Sequence, residues 1–598
     1  MAPGGYFGAA LVLDVSAAGV EASREELSAD VLRAYLGGVG LGTYLLQRLG
    51  PAGVDPLAPE APLAFVFSPL VGTPLTTSAK FAVVAKSPLT GLLTDALASS
   101  QFAIAGKLTG HDALVVRGRA DGLSVLLVDA EGARVEPTPE LAGLSAAAAE
   151  DVLRERFGRG WRAAVIGPAG ERGVRYATVS HDGRHAGRGG LGAVLGAKNL
   201  KAVLVRAAGK AAVHDAEAVL AAARDLRERS FGPATAKYRE LGTLANLLAF
   251  NAVSTLPTRN FTAATFEGAP KLAAEELHEL RLVARNSCAS CSIGCEHIYS
   301  RKGGGSQRME YENVFALGPM CGVSDPDDVF AASAKCDELG LDTISAGGTV
   351  AWAMECAERG LLDEPWLRFG DGPALLRALD AIGARSPGLG ELLAQGSRRA
   401  AAQLGQGSEA FALHVKGLEL PGYEPRTMQA MGLGFAVNSR GADHNRSGAY
   451  EADLSGDLDR LAGAAPHVAA AIATEDRAAV MDSMILCKFL RGVFTEPFAE
   501  WANLLRPVTG WDVDADELRA TARRIVDAKR AYNLREGATA ADDTLPPRIL
   551  SEAVAMSSGR EARLTTERLQ SMVAAYYTAR GWDAEGRPPT DVASAASV

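Results

Sequence analysis

Four cysteines limit the folds open to this chain. Cys288, Cys291 and Cys295 stand in Asn-Ser-Cys-Ala-Ser-Cys-Ser-Ile-Gly-Cys-Glu-His, and Cys487 lies far downstream in Asp-Ser-Met-Ile-Leu-Cys. Three thiolates two or three residues apart can converge on one inorganic centre, and a fourth from a distant segment closes its coordination. Any fold that satisfies this pattern brings two remote parts of the chain together. A structural zinc site is one reading, but zinc sites commonly use two short Cys-x-x-Cys knuckles. The three-and-one division suits the corners of a cubane [4Fe-4S] cluster better. A disulfide framework fits least, because seven cysteines in 598 residues are odd in number and sparse, with no secretory signal. Cys321, Cys336 and Cys356 lie in apolar, helix-patterned stretches and are read as core.

The length predicts three or four domains with ample core, and 47% hydrophobic against 22% charged residues is an ordinary globular balance. A net charge of −10 without any block of five basic residues argues against nucleic acid as a partner. The N-terminus has no basic segment before its apolar stretch, and no run of about eighteen apolar residues occurs. The expectation is a cytoplasmic protein that does not enter a membrane.

The periodicity of the chain changes near residue 210. Before it, short β-patterned runs at 9–15, 63–68, 81–85, 113–118, 124–128, 163–166, 174–180 and 202–205 alternate with Gly, Pro and Asp, and helical patterns interrupt at 29–46 and 143–156. After it, apolar stripes of period 3.6 run through 212–229, 237–250, 326–339, 343–359, 372–382 and 391–404. Further stripes follow at 477–489, 498–505, 515–531, 548–555 and 568–578. The reading is an α+β protein with a β-rich domain over 1–207 and two mainly helical domains over 208–415 and 416–598. The tail from Glu585 is expected to fray. The cysteine triad falls in the second domain and Cys487 in the third, so their common centre is expected where the two meet.

Ala186-Gly-Arg-Gly-Gly-Leu-Gly-Ala-Val-Leu-Gly-Ala-Lys-Asn199 combines close glycines with Arg188 and Lys198, a pattern suited to a phosphate or pyrophosphate. It is neither a Walker loop, having no hydroxyl after Lys198, nor a Gly-x-Gly-x-x-Gly fingerprint. Glycines that merely close turns are the competing reading. Asp337-Glu-Leu-Gly-Leu-Asp342 and Asp482-Ser-Met-Ile-Leu-Cys487 resemble each other. Each sets a carboxylate at a helix end, where it could accept hydrogen bonds from a bicyclic heterocycle or simply cap the helix. That the second ends in the fourth cysteine sets the heterocycle beside the cluster.

Together these segments resemble the tungsten-dependent aldehyde ferredoxin oxidoreductase family over nearly the whole chain. Further matching stretches are 37–45, 68–73, 85–91, 310–312, 418–426 and 438–444. The resemblance implies a β-rich base for the cofactor under two helical domains. It also implies a tungsten or molybdenum ion held by the dithiolene sulfurs of two pterins, Mg²⁺ bridging their phosphates, and a [4Fe-4S] cluster nearby. By resemblance Cys288, Cys291, Cys295 and Cys487 hold the cluster. Asp337, Leu341, Asp342, Asp482 and Leu486 belong to the two pterin motifs, Arg184, Gly187, Arg188 and Gly189 to the phosphate-side loop, and Lys80, Arg440 and Arg446 to the cofactor surroundings. Glu312 is the implied general base and His444 the group that hydrogen-bonds the substrate carbonyl oxygen.

The implied activity is oxidation of aldehydes to carboxylic acids, or the reverse, with electrons leaving one at a time through the cluster to ferredoxin or a small ferredoxin-like subunit. Aryl-CoA ring reduction by the same cofactor, and a pterin-free electron-transfer subunit, are the alternatives. The chain departs from the family at Lys80, where arginine is usual, at Leu97 and Ser99 on the pterin side, and at Ile485 in place of glycine. Ala331 and Ala334 stand where some members carry Glu-x-x-His for an iron between subunits. An oligomer without that iron bridge is therefore expected.

Overall fold

A computed structural model describes residues 2–589. The period-2 segments build two six-stranded sheets. The first contains β1 (Ala9–Ser16), β2 (Gly19–Glu26), β3 (Leu63–Val66), β4 (Lys80–Lys86), β5 (Leu93–Ser99) and β6 (Ala113–Gly118), in the order β2-β1-β6-β3-β4-β5. The second contains β7 (Ser124–Asp129), β8 (Gly132–Pro137), β9 (Trp161–Ile166), β10 (Val179–His181), β11 (Arg184–Ala186) and β12 (Leu200–Arg206), in the order β11-β10-β9-β12-β7-β8. Neighbours run antiparallel except β1 with β6 and β7 with β12.

One apolar layer joins the sheets. Phe65, Phe81, Val83, Ala96 and Leu114 from the first pack with Leu126, Ile166, Leu200 and Val203 from the second. Alternation along a strand sends the intervening residues to the other face, so Ala82, Val84 and Leu93 join the core of the helical body. The register pairs Lys80 with Ser99, Ala82 with Leu97 and Val84 with Asp95. The edge pair β4–β5 therefore presents Lys80, Asp95, Leu97 and Ser99 on the helical side, where the candidate site lies.

The helix Gly38–Leu49 lies against that face, and its glycines make the close approach possible. A Cβ on Gly42 would sit 2.5 Å from Val84, and one on Gly38, where φ is +42°, only 2.3 Å from the Asp482 carbonyl oxygen. Gly40 N–H donates to Ser483 Oγ at 3.0 Å. The Gly37–Gly42 run thus seats the end of the helix Ala465–Met484, the segment that leads into Cys487, directly on the sheet. No helix among the described residues is long and apolar enough to cross a membrane.

Helices at Pro326–Leu339 and Thr343–Glu358 follow the 3.6 period closely, and Asp325 and Asp342 cap them. Elsewhere the structure differs from the periodicity. The 237–250 pattern breaks at Gly242 (φ +69°) into Ala236–Glu240 and Asn246–Ala252, and 391–404 breaks at Gly396 (φ +81°) into Leu389–Leu393 and Ser397–Leu404. The 477–489 stripe belongs to Ala465–Met484, which stops where Ile485 takes a left-handed conformation at φ +58°. Residues 548–555 divide into the helix Pro547–Ser551 and a short strand, Val554–Ala555. Of 174–180 only the last two residues are strand, the start of Val179–His181. The pattern had no signal for β2 and β8, solvated strands at sheet ends, nor for the helix Gln429–Val437, buried on every side. The expected fraying from Glu585 does not begin there. Asp583 accepts from the N–H groups of Glu585 and Arg587, and Arg530 Nε donates to the Gly586 carbonyl at 2.8 Å. The remainder of that tail, 590–598, lies outside the described residues.

Candidate functional site

The loop before β4 brings the four cysteines together. Thr77 N–H donates to the Ser290 carbonyl at 2.6 Å inside the triad loop, while Thr77 Oγ1 accepts from Cys487 N–H at 3.3 Å. Thr76 Oγ1 accepts from Ser292 N–H at 3.0 Å. Thr77 does this at φ +67°, a conformation that a β-branched residue adopts only under constraint from its surroundings. Three residues on, Lys80 projects among the thiols. Burial alone would depress its ammonium, but the charges of Cys487, Cys288, Cys291 and Cys295 around it hold its pKa above the ordinary value. Burial pushes the Cys291 thiol up to about 11 and raises Cys295 in the same way. Among the described residues, no three His, Cys, Asp or Glu side chains stand close enough to hold one metal ion. Cys321, Cys336 and Cys356 are fully buried in the helical core, away from this group.

The triad itself forms the connection between β13 (Leu282–Asn286) and β14 (Glu296–Ser300), which with β15 (Ser306–Arg308) make a three-stranded sheet. Arg184 on β11 pairs with Glu296 at 2.7 Å, and Cys288 and Cys295 help to keep its guanidinium charged. His185 pairs with Asp337 at 3.1 Å, and Asp337 also accepts from Gln307 Nε2 at 2.7 Å. Arg184 and Asp337 thus flank the cysteine hairpin. The glycine loop follows directly, and only part of it is open. A Cβ on Gly189 would lie 2.0 Å from Thr94 and one on Gly190 2.0 Å from the Arg175 carbonyl, so these glycines let the loop pack. Gly187 faces open space. Arg188 is buried and donates to the carbonyls of Ala442 and Glu419, both at 2.6 Å, with Nε 3.4 Å from Asp342. Asp342 is engaged as a helix cap by the N–H groups of Ile344 and Ser345, and Leu341 bridges to Ala177. Lys198 turns away and donates to the Pro59 and Ala61 carbonyls.

Beside these groups lies a buried charge network that the sequence only half disclosed. Asp95, on β5, is its hub. It bonds Arg446, meets Lys529 at 3.3 Å and approaches Arg440 at 3.9 Å. These cations hold its carboxyl below the ordinary range, against the burial that raises it. Arg446 continues to Asp482 at 3.3 Å, Asp482 to Lys488 at 2.9 Å, and Arg440 to Asp443 at 3.1 Å. Leu486 is buried next to Cys487. Within this network Arg440 Nε and Nη2, Asn438 Nδ2 and Asp482 Oδ2 have no hydrogen-bond partner. Buried polar atoms are nearly always paired; the three nitrogens donate and the Asp482 oxygen accepts, so the group fits a polar occupant that offers both acceptors and donors. Asp95 carried no motif. Its only sequence signal was a lone acid in an otherwise uncharged strand.

Glu312 and His444 face one another, with Oε1 to Nδ1 at 3.4 Å, an approach outside hydrogen-bond alignment. Glu312 lies in the first turn of the helix Tyr311–Leu317, and its Oε2 accepts from Gly422 N–H at 3.2 Å. Burial pushes its carboxyl up to about 8. His444 stacks on Tyr423 with ring centres 4.9 Å apart, and burial pushes its imidazole down to about 3. Asn445 Nδ2 stands 3.0 Å from His444 Nε2. An amide nitrogen donates, so Nε2 accepts and the single proton of the neutral ring rests on Nδ1, facing Glu312. The pair offers a carboxyl poised between its two protonation states and a neutral N–H beside it.

The chain is similar to known proteins along its full length. Residues 11–207 match the family "Aldehyde ferredoxin oxidoreductase, N-terminal domain" and residues 219–595 match "Aldehyde ferredoxin oxidoreductase, domains 2 & 3". The tungsten-containing aldehyde ferredoxin oxidoreductase of Pyrococcus furiosus is 34% identical over 585 residues, covering 95% of each chain. That of Pyrococcus horikoshii is 34% identical with 98% of each covered. The aliphatic sulfonate oxidoreductase, WOR-like subunit, of Pyrococcus furiosus is 28% identical, covering 97% of this chain and 95% of that one. In fold, the chain resembles the active site complex BamBC of benzoyl coenzyme A reductase, with a TM-score of 0.83 at 22% identity, covering 100% of this chain and 97% of that one. By these matches, spanning both halves of the molecule, the chain belongs to the aldehyde ferredoxin oxidoreductase family.

Proposed function

We propose that this protein is a tungsten or molybdenum bis-pterin oxidoreductase that oxidises aldehydes to carboxylic acids, or reduces the acids. It passes electrons through a [4Fe-4S] cluster on Cys288, Cys291, Cys295 and Cys487. The observation that carries the reading is the gathering of four thiols about Lys80, next to a buried charge network with unpartnered donors. The three-and-one division of the cysteines along the chain accords with a multi-iron cluster better than with zinc.

When bound, the metal–pterin group supplies the two-electron acceptor and the oxygen donor. Arg440, Arg446, Asp482 and Leu486 would hold one pterin, and Asp337, Leu341 and Asp342 the other. Arg184, Gly187, Arg188 and Gly189 would border the phosphates and their Mg²⁺. Lys80, set among the four thiols, would donate to the thiolates of the cluster. Ionised Glu312 takes the proton released as the aldehyde hydrogen is lost, and His444 Nδ1–H steadies the carbonyl oxygen. Tyr423, stacked on the imidazole, fixes its plane.

The acceptor is ferredoxin or a small ferredoxin-like subunit. The stretch 281–308 around the triad carries Arg281, Arg285, Arg301, Lys302 and Arg308 against Glu296 alone, in a chain of net charge −10. That local charge suits an acidic carrier. Ala331 and Ala334 leave an oligomer without an iron bridge. A cytoplasmic location suits a cluster with this acceptor. We propose the domain division 1–207, 208–415 and 416–598; its first boundary falls just past β12 and its second within the hairpin that pairs His414–Val415 with Leu418–Glu419.

Elemental analysis of anaerobically purified protein tests the proposal. About one tungsten or molybdenum with four irons per chain, and aldehyde-dependent viologen reduction, are expected. Iron without either metal supports an electron-transfer subunit, and reduction of benzoyl-CoA instead of aldehyde oxidation supports the aryl-CoA reading.

A further inference from the structure

The turn Ser230–Thr235 stands on both cysteine-bearing segments at once. Ser230 Oγ lies 2.8 Å from the Oγ of Ser292, the residue after Cys291 in the triad loop. On the far side, a Cβ on Gly492 would touch Ala234 at 3.6 Å, and Tyr238 stacks on Phe489 with ring centres 4.2 Å apart. Gly492 and Phe489 belong to the short helical segment Lys488–Val493 that follows Cys487. At the tip of the turn Phe231 is 53% exposed, and Pro233 and Ala234 beside it are exposed too. Every other aromatic side chain among the described residues is buried or half-buried. Arg239 holds the turn in place, donating to the carbonyls of Ser230 and Gly232, both at 3.3 Å, with its guanidinium 5.4 Å from the centre of the Phe231 ring. The surroundings are cationic. Over 227–240 and 285–295 the acids are Glu228 and Glu240 alone. Arg229 is neutralised by Asp225 and Glu500, but Arg227, Lys237, Arg239 and Arg285 meet no carboxylate among the described residues, and Arg239 and Lys237 spend their donors on neutral acceptors. In a chain of net charge −10 this local field has the opposite sign to the whole.

Resting on the electron-transfer reading above, we propose that the turn Ser230–Ala234 is the docking face for a small acidic iron–sulfur carrier. An apolar patch of the carrier covers Phe231, and its carboxylates face Arg227, Lys237, Arg239 and Arg285. An exposed aromatic within a cationic rim has the composition of an interface anchor, with the ring giving affinity and the rim steering the encounter. Electron transfer slows steeply with distance, and here one hydrogen bond and one peptide link join the ring to the triad loop. Each docking reduces the carrier by one electron drawn from the centre that the four cysteines hold. No bond or proton moves in that step, and two dockings complete one aldehyde oxidation.

The test uses the holoenzyme with two acceptors, a small acidic [4Fe-4S] ferredoxin and methyl viologen, which needs no protein docking face. Phe231→Ala and Phe231→Glu are expected to raise KM for the ferredoxin about tenfold or more while viologen-supported kcat/KM stays at the wild-type value. Arg227→Glu and Lys237→Glu, both on the surface, raise the same KM about threefold each, and raised salt removes most of that difference. Calorimetric titration with oxidised ferredoxin gives a readout without turnover, and Kd rises in the same order across the variants. Variants that bind and reduce ferredoxin like the wild type, or that slow both acceptors alike, overturn the proposal. Light scattering covers the other occupant: if Phe231→Glu lowers the mass of the protein alone, a second copy of this chain sits on the face and the proposal falls. If metal-loaded protein oxidises no aldehyde yet binds ferredoxin, with affinity reduced in Phe231→Ala, the docking face stands and the aldehyde reading falls.

Discussion

Replacing Glu312 by Gln separates the chemical role of this residue from its structural one, because the two effects have opposite signs. The Glu312 carboxyl stands at about 8 in the fold, against 4.5 for an ordinary glutamate, and burial is the leading cause. Its folded pKa is raised, so the stability it contributes is fully present below pH 4.5 and is lost progressively as pH rises to 8. At about 1.36 kcal/mol per unit the loss reaches about 5 kcal/mol. This is an upper figure, since 19% of the side chain reaches solvent. Glutamine mimics the protonated acid. Its carbonyl can accept from Gly422 N–H and its amide can turn to His444, and it never pays for ionisation. The variant is expected to match the wild type in thermal unfolding near pH 4.5 and to exceed it by several degrees at pH 8, in cofactor-free protein. In loaded enzyme the wild-type kcat should rise about tenfold from pH 7 to 9 as the base ionises, while the variant is slow and flat. A variant less stable than wild type at pH 8, or one with the wild-type pH profile, refutes the assignment.

The other predictions concern the framework. Cys295→Ala or Cys487→Ala should abolish electron transfer and the broad visible absorption of the cluster, and normal turnover in either would falsify the ligand set. Gly38→Ala forces a Cβ against the Asp482 carbonyl at positive φ, and a loss on the order of 3–5 kcal/mol is expected in denaturant unfolding; an unchanged midpoint contradicts it. Thr77→Val keeps the shape but deletes the hydroxyl that receives Cys487 N–H, worth about 1 kcal/mol. Faster cluster loss to a chelator is expected, and an unchanged rate removes that role. Arg440→Gln should lower the pterin metal retained through gel filtration without lowering the melting temperature of the cofactor-free chain, and full retention counts against it.

The sheets and long helices were legible because their hydrophobic patterns are strong, as in β6 or Pro326–Leu339. Breaks were legible less often. Gly396 and Gly242 end helices through positive φ, yet a glycine inside an apolar stripe reads equally as a tolerated one. Ile485 was noted as a departure, but nothing in its side chain forecasts a left-handed conformation; its neighbours Gly37 and Gly38 provide the room that allows it. The cysteines announced themselves by spacing. Asp95 did not, because a single acid acquires meaning only from partners hundreds of residues away. In the glycine loop, Gly189 and Gly190 serve packing, which spacing alone did not announce, while Gly187 faces open space.

Thr77 holds the triad loop with its amide and the Cys487 segment with its hydroxyl. During synthesis the first three sulfurs leave the ribosome long before the fourth, and so does every strand of the sheet next to Thr77. A half-built nest of thiols must therefore wait, vulnerable to oxygen and to stray metals, until the last third of the polypeptide arrives to shut it. On the reading proposed above, iron, sulfide and pterin would have to enter within that interval, before the threonine latch shuts.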